Sequence, residues 1–209
     1  AIHWTDPWTV RDPGALVTEY FKLFRRLGGQ FVQGEARDLS PTAHGWSVEV
    51  EGVRHEARQA VVALGPWAPE VLDGLGYHLP LFVKRGYHMH YGTEGGAQLR
   101  HLVLDADVGY VLAPMAKGIR LTTGAEFAFR DAAPTPVQLG KAERAARELF
   151  PLGERLDPQP WKGARPCTPD MMPIIGAAPR HKGLYVGVGH AHHGFTLGPA
   201  TGELLAQAM

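Results

Sequence analysis

An arginine flanked by a proline is the side chain best suited to hold an anion in this sequence. Arg165 is followed by Pro166 and the segment Thr168-Pro169-Asp170, which predicts a rigid loop presenting one guanidinium. A guanidinium can bind a carboxylate through two parallel hydrogen bonds. Surface salt bridges also use isolated arginines, so the residue alone leaves both interpretations open.

Two further side chains could take part in the same chemistry. Tyr110 lies within the predicted strand 108–113, and its hydroxyl could donate to the anion held by Arg165. A tyrosine inside a strand more commonly belongs to the core or to a sheet face, and that alternative stays open. Cys167, the single cysteine, is interpreted as a small buried apolar residue and not as a nucleophile.

A glycine-rich segment near the end of the chain carries three histidines. His190, His192 and His193 follow the apolar run Leu184–Val188, which predicts a short buried strand. A helix is predicted to begin near Pro199, because proline suits a first helical position. A strand, a glycine-rich loop and a helix together present backbone N–H groups and a positive helix end. This arrangement suits an electron-rich ligand.

Common metal and nucleotide motifs do not account for this segment. Zinc sites use histidines at helical spacing or Cys/His pairs at set spacings, so we interpret the histidines as the polar lining of a pocket. A histidine-based metal hydrolase is the least favoured interpretation. Gly187-Val188-Gly189 lacks the third glycine of a dinucleotide fingerprint, since His192 stands there. The sequence contains no Walker loop and no G-x-S-x-G nucleophile elbow.

Length and charge restrict the class of protein. The 209 residues suffice for one large domain or two small ones. The 21 basic and 21 acidic residues balance, and no Lys/Arg run appears, so we expect no nucleic-acid partner. No apolar run approaches the roughly 20 residues of a membrane span. One cysteine favours a reducing compartment; we expect a cytoplasmic location, with peripheral association with the inner membrane as the alternative.

The order of predicted elements indicates an α/β (α+β) fold. Residues 1–10 are strand-like, with Trp4 and Trp8, and a helix runs from Asp12-Pro13 to Gly28-Gly29. The wholly apolar run 60–64 predicts a strand covered on both faces, as in a parallel sheet. From residue 79, strand-length segments separated by short turns predict an antiparallel meander, followed by a helix over 136–150. Two halves of an α/β layer would therefore flank an inserted sheet.

With these residues identified, the chain resembles the C-terminal part of the FAD-dependent amino-acid oxidase and dehydrogenase superfamily. That group contains D-amino-acid dehydrogenases and glycine and sarcosine oxidases. Its N-terminal G-x-G-x-x-G unit has no counterpart in these 209 residues. The most specific similarity is RPCTPDMMPIIG together with the closing glycine-rich segment. The similar segments are the helix ending at Gly28-Gly29 with the strand 30–36, AVVALGPWAP (60–69), Pro80 with Arg85-Gly86, 165–176 and 183–206.

The resemblance implies a particular architecture. The fold would be the C-terminal part of a Rossmann-like FAD domain with an inserted antiparallel-sheet substrate domain. Residues 1–10 would supply the first strand of the substrate domain, and 11–78 part of the FAD-binding domain. Residues 79–160 would form the substrate domain with one helix, and 161–209 the C-terminal part of the FAD-binding domain.

The resemblance also implies site residues, with FAD as the cofactor and no metal. Arg165 would bind the carboxylate of a small amino-acid substrate, with Tyr110 assisting. His192 or His193 would line the amine side, with His192 as the catalytic candidate. The backbone near Ala36 or Arg37 would meet the adenine end of FAD. The residues implied to contact the cofactor are Ala36, Arg37, Gly65, Trp67, Gly189, His190, Ala191, His192, His193, Gly194, Phe195 and Thr196.

The function expected from this resemblance is oxidation of the Cα–N bond of a D-amino acid or a related small amino acid. Glycine-oxidase-like members have an arginine where this chain has His192, which favours the dehydrogenases. The first residue is Ala1, so we expect either a processed start or a piece of a longer protein. The alternative is a catalytically incomplete fragment or partner-dependent subunit, which lacks the N-terminal FAD-binding segment and does not hold FAD alone.

Overall fold

The computed structural model describes residues 2–3, 5–6 and 8–209. These residues form two units. Unit 1 contains the described residues up to Phe31, together with Gly86–Ala125 and Ala133–Gly163. Unit 2 contains Val32–Arg85, Glu126–Ala132 and Ala164–Met209.

Four α-helices and thirteen strands make up the described chain. The helices are α1 (Pro13–Arg26), α2 (Ala68–Leu72), α3 (Val137–Leu149) and α4 (Gly194–Ala208), with 3-10 turns at Gly65–Trp67 and Asp73–Leu75. The strands are β1 (Ala36–Thr42), β2 (Gly45–Val50), β3 (Val53–Ala57), β4 (Ala60–Val62), β5 (Phe82–Thr93), β6 (Val103–Asp105), β7 (Tyr110–Met115), β8 (Gly118–Thr123), β9 (Glu126–Phe127), β10 (Leu152–Arg155), β11 (Trp161–Cys167), β12 (Ile174–Ala177) and β13 (Leu184–Val188). No helix in these parts of the chain has the length and apolarity needed to cross a membrane.

Unit 1 is built on the predicted antiparallel sheet, which the structure confirms. The strand order is β10-β5-β8-β7-β6. Because side chains alternate along a strand, one face of the sheet is apolar and packs against α3. The core contains Tyr87, Met89 and Tyr91 of β5 and Leu139 and Ala146 of α3. The core of unit 1 therefore lies between the sheet and a single helix.

Helix α1 forms where the sequence predicts it. The Asp12 carboxylate accepts a hydrogen bond of 2.9 Å from the Ala15 N–H, and Pro13 occupies the first turn. The predicted apolar face of α1 is present, yet none of its residues is buried. Tyr20 is 54% exposed and Phe24 is 48% exposed. Within the described chain this face remains accessible to solvent.

Unit 2 contains two three-stranded sheets, β1-β2-β3 and β12-β13-β4. Strand β4 pairs in parallel with β13, so the predicted parallel strand is confirmed. The prediction that it is covered on both faces is wrong, because Val61 is 42% exposed and Leu64 is 39% exposed. Strand β4 is the edge of its sheet, and both residues line an open apolar cleft of about 300 Å³.

The N-terminal ten residues differ from the strand-like segment predicted there. The predicted strand includes residues 1, 4 and 7, which lie outside the described residues. The described residues among 2–10 form bends or irregular backbone and no strand. Helix α1 is grouped with unit 1, whereas its sequence position assigned it to the FAD-binding part.

Arg85, the arginine of the Arg85-Gly86 motif, is a structural residue of unit 2. Its side chain is 1% exposed, and its Nη2 lies 2.7 Å from Glu126 Oε2. Its Nη1 also donates to the carbonyl oxygens of Phe129, at 3.2 Å, and Ala132. A buried guanidinium is tolerated only when its donors and its charge are matched in this way. The motif thus ties β5 to β9 and the segment after it.

We expect Glu126→Leu to destabilise the protein by about 3 kcal/mol, because it leaves the Arg85 charge buried without its carboxylate. Urea unfolding measures this loss. The control is Glu56→Leu, which removes a carboxylate whose side chain is 61% exposed in its ion pair with Arg54 and should cost less than about 1 kcal/mol. Equal losses in the two variants would contradict the structural role of the Arg85–Glu126 pair.

Candidate functional site in unit 2

The loop after β13 is fixed by one backbone contact and one glycine. The Ala191 N–H donates to the Pro166 carbonyl oxygen at 2.8 Å, and His190 forms an isolated bridge with Cys167. Gly189 has φ 80°, and a Cβ there would lie 3.0 Å from Thr168 Cγ2. Any other residue would meet both strain and a contact. The loop is therefore held against the segment that follows Arg165.

Helix α4 begins at Gly194 and not near Pro199, so that prediction is wrong. Pro199 is inside the helix, where it lacks the N–H that would pair with the Phe195 carbonyl. His193 occupies the N-cap position without a side-chain hydrogen bond, and the first turn contains no acidic residue. The first N–H groups of α4 thus have no side-chain cap, and no carboxylate offsets the positive helix end.

The turn Gly65–Trp67 lies next to the same segment. A Cβ on Gly65, which has φ 54°, would lie 4.0 Å from the Pro166 ring. The guanidinium of Arg130 lies 5.3 Å from the Trp67 ring centroid. Unit 2 therefore brings together three segments that the sequence indicates for one site: the Gly65–Trp67 turn, the segment after Arg165, and the loop with the start of α4.

Cationic side chains line this part of unit 2. Arg165 is half-buried, and this burial lowers its pKa. The pKa of His192 is lowered first by partial desolvation of its ring, and then by the positive charges of His193, Arg165 and Lys84. Because charges act over short distances in a protein, these side chains share one environment. The neutral form of the His192 imidazole is thereby favoured.

Lys84 is a site candidate that the sequence reasoning missed. Its Nζ lies 3.5 Å from Met171 Sδ and within 5.6 Å of the ring centroids of Phe82 and Phe127. In the sequence, Lys84 directly precedes the Arg85-Gly86 motif, and this position could have indicated it as a site residue. No carboxylate in the described part of the chain forms an ion pair with Lys84.

The three histidines of the loop have different environments. His190 Nε2 lies 2.8 Å from Thr201 Oγ1, a hydrogen bond to helix α4, and burial lowers the pKa of His190. His192 and His193 are largely exposed as residues, and their ring centroids are 3.8 Å apart, so each ring is partly shielded from water by the other. Because of its hydrogen bond to Thr201, His190 attaches the loop to α4.

Across the described residues, no group of three or more His, Cys, Asp or Glu side chains is arranged to hold a metal ion.

The remaining predicted site residues lie elsewhere. Ala36 and Arg37 begin β1; Ala36 lines the apolar cleft, and Arg37 pairs with Glu35 at 2.6 Å. Tyr110 is 1% exposed in the core of unit 1, and burial raises its pKa to about 12. This burial gives no support to a contact with substrate. Cys167 is fully buried, so the prediction of a buried cysteine is confirmed.

The sequence profile of the FAD dependent oxidoreductase family matches residues 1–208 of this chain. Glycine oxidase from Geobacillus kaustophilus is 27% identical in sequence, with a TM-score of 0.72 over 83% of this chain and 47% of that protein. L-Proline dehydrogenase from P. horikoshii is 19% identical, with a TM-score of 0.79 over 92% and 54%. Iminodiacetate oxidase from Chelativorans is 23% identical, with a TM-score of 0.77 over 92% and 53%.

The chain thus spans about half the length of these solved structures. At these levels of identity the second and third structures show the shared fold alone. They support the mixed α/β architecture with its antiparallel sheet.

The electrostatic interaction of Arg165 with His192 predicts how the pKa of His192 changes when the arginine is replaced. We expect Arg165→Met to raise the pKa of His192, because a neighbouring positive charge that disfavours the imidazolium is removed. An NMR titration of the histidine ring protons measures this change. The exposed Lys182→Met is the charge-matched control, and it should leave His192 unchanged. An equal response to both variants would contradict the proximity of Arg165 to the loop.

Proposed function

The chain belongs to the FAD dependent oxidoreductase family, and we propose that it supplies the flavin-ring and substrate part of an enzyme that oxidises the Cα–N bond of a D-amino acid or a related small amino acid. FAD is the cofactor of this family. The observation that carries the proposal is the convergence, within unit 2, of the Gly65–Trp67 turn, the Arg165 segment and the loop before α4.

The residues of this convergence fit a planar, electron-rich ring. The positive φ of Gly189 lets backbone approach closely without a side chain, and the start of α4 offers uncapped N–H groups. Positive charge from Lys84 and Arg165 also favours an anionic ligand. The residues that would contact FAD are Gly65, Trp67, Gly189, His190, Ala191, His192, His193, Gly194, Phe195 and Thr196, with Ala36 and Arg37 at the adenine end.

When bound, FAD would accept the hydride of the Cα–H bond as an amino acid becomes an imine, which water hydrolyses to a keto acid. Arg165 would bind the substrate carboxylate through its fork of N–H donors. His192, whose neutral form is favoured, would face the amine and accept the proton that the nitrogen loses. The positive end of α4 would stabilise negative charge at the ring.

We expect Arg165→Met to reduce kcat/KM for amino acids by about 100-fold, mainly through a higher KM, because a charge-assisted contact with the carboxylate is lost. The measurement is steady-state kinetics in an amino-acid-oxidising preparation of the protein that carries this chain. The corresponding amine, which lacks the carboxylate, serves as the control substrate, and its kcat/KM should change little. Unchanged kinetics for the amino acid would refute the role of Arg165.

The exposed apolar surfaces of the chain favour a second candidate function. The apolar face of α1 has no buried residue, and the apolar cleft beside β4 is open. A chain with such surfaces is suited to packing against further protein. In this alternative, the 209 residues act as a partner-dependent part of a flavoenzyme and do not hold FAD alone.

Binding of FAD to the 209-residue chain distinguishes the two candidates. If the alternative holds, the purified chain mixed with FAD elutes from gel filtration without flavin absorbance. A yellow chain with one flavin per molecule would contradict it. If the chain does retain flavin, Gly189→Val, which places a side chain in the loop, should abolish this retention. Gly202→Ala, at a position of α4 with open space around it, should leave the retention of FAD unchanged.

A further inference from the structure

Three turns of unit 2 meet where strands β4 and β13 begin, and they border a cleft of about 660 Å³. They are the β1–β2 turn at 43–44, the β3–β4 turn at 58–59 and the β12–β13 turn at 178–183. Sites for small molecules typically have volumes of about 300–1,000 Å³. The cleft is therefore large enough to hold a small ligand.

Hydrogen bonds and one close backbone approach hold the turns together. The Ala60 N–H donates to the Gly183 carbonyl oxygen at 2.8 Å, and the indole N–H of the buried Trp46 donates to the Lys182 carbonyl oxygen at 3.1 Å. Gly183 has φ 74°, and a Cβ there would lie 3.0 Å from the Arg58 carbonyl oxygen, so glycine suits this position. The shape of the cleft is thus set by backbone contacts and a buried indole.

Each turn places a basic or imidazole side chain on the wall of the cleft. His44 comes from the first turn, Arg58 from the second, and Arg180 and Lys182 from the third. Among the described residues that line the cleft, none is an aspartate or a glutamate. The whole chain has 21 basic and 21 acidic residues, so this excess of positive charge is local. A concave surface of one charge attracts ligands of the opposite charge.

Two of these cations have no carboxylate partner within the described chain. Arg58 and Lys182 are exposed, and neither forms an ion pair there. Met209, the last residue of the sequence, also borders the cleft, and its backbone oxygen accepts a hydrogen bond of 3.1 Å from Gln59 Nε2. An added anion could therefore pair with both cations without displacing an existing ion pair.

The third cation, Arg180, is already held in place. Its Nη2 donates to the Gly76 carbonyl oxygen, and its guanidinium carbon lies 4.5 Å from the centroid of the Tyr77 ring. The Tyr77 hydroxyl also lies 2.8 Å from Nδ1 of the neighbouring His181. A guanidinium fixed through one nitrogen keeps other N–H donors for a ligand. Because the side chain is already ordered, binding through it costs less conformational entropy.

The number and kind of these cations indicate the class of ligand. Three positive charges attract an anion with several negative charges more strongly than one with a single charge. Guanidinium and ammonium groups both bind phosphate oxygens. The cleft borders the start of β13, whereas the loop proposed to contact flavin follows the end of that strand. The ligand would therefore bind apart from the proposed flavin ring contacts.

We propose that Arg58, Arg180 and Lys182 bind the diphosphate or triphosphate group of a small molecule, with His44 as a further N–H donor. The whole site lies within unit 2. It does not rest on the proposed oxidation of amino acids, so each of the two proposals can fail without the other.

Inorganic pyrophosphate is the probe that tests this site, with acetate as the singly charged control. We expect pyrophosphate, added at constant pH, to shift the NMR signals of the His44 and His181 rings saturably, with a Kd of about 1 mM or lower. The exposed His101 of unit 1 should not shift. Acetate should give no saturable change, because one charge cannot pair with several cations at once.

A parallel titration with ADP separates two sources of the diphosphate group. Tighter binding of ADP than of pyrophosphate, read from the same His44 and His181 signals, would identify the ligand as a nucleotide. Equal or weaker binding of ADP would identify it as the inorganic ion. Either result supports a diphosphate site in this cleft.

The matched variants are Arg58→Gln and Arg54→Gln, which remove the same charge from exposed positions of one unit. Arg54 pairs with Glu56 at 3.0 Å and does not line the cleft. We expect Arg58→Gln to weaken pyrophosphate binding by at least about fivefold, and Arg54→Gln to leave it unchanged. If Arg58→Gln does not fold, Lys182→Gln tests the same requirement for charge. Equal affinity in all variants, equal shifts of His101 and His44, or no saturable shift in the native chain would overturn the proposal.

Discussion

The hydrogen bond from the Ala191 N–H to the Pro166 carbonyl is the contact on which the candidate site of unit 2 depends. It joins two segments that are 25 residues apart in the sequence by their numbering. Within the same loop, Gly189 adopts a positive φ beside Thr168, a conformation that a side chain would oppose, and Ala191 also has a positive φ of 51°. Helix α4 then starts directly after the loop, so its uncapped end and the Arg165 segment face one region of unit 2.

Three arginines illustrate how burial and partners decide the role of a charge. Arg85 is buried with a carboxylate and two carbonyl oxygens, and it stabilises the fold. Arg165 is half-buried in β11, and its positive charge contributes to the lowered pKa of His192 in the neighbouring loop. Arg120 is half-buried with an unsatisfied Nε. A buried cation whose donors and charge are matched, as in Arg85, stabilises the fold, because the contacts offset the cost of removing the charge from water.

Local patterns predicted much of this fold, and long-range contacts explain what they missed. The cap at Asp12 and the period-2 strands of the meander carry their own signals, so α1 and the antiparallel sheet were predictable. The start of α4 was wrongly predicted at Pro199, because proline favours the first turn of a helix but can also lie further inside it. The matched state of Arg85 and the proximity of Lys84 to Met171 depend on residues distant in sequence, which no local pattern reveals.

The exposed apolar residues show that a local pattern can predict an apolar face without predicting what packs against it. The helical spacing of α1 correctly predicts an apolar face, but amphipathicity specifies that a face can be buried, and not what buries it. The run 60–64 likewise predicts a strand suited to a sheet interior, while β4 lies at an edge with Val61 exposed. Each pattern describes an environment that the 209 residues complete only in part. In the function proposed above, the loop and the start of α4 would contact the flavin ring, and the contacts to the phosphates of FAD would require a motif other than these, because Gly187-Val188-Gly189 is not a dinucleotide fingerprint.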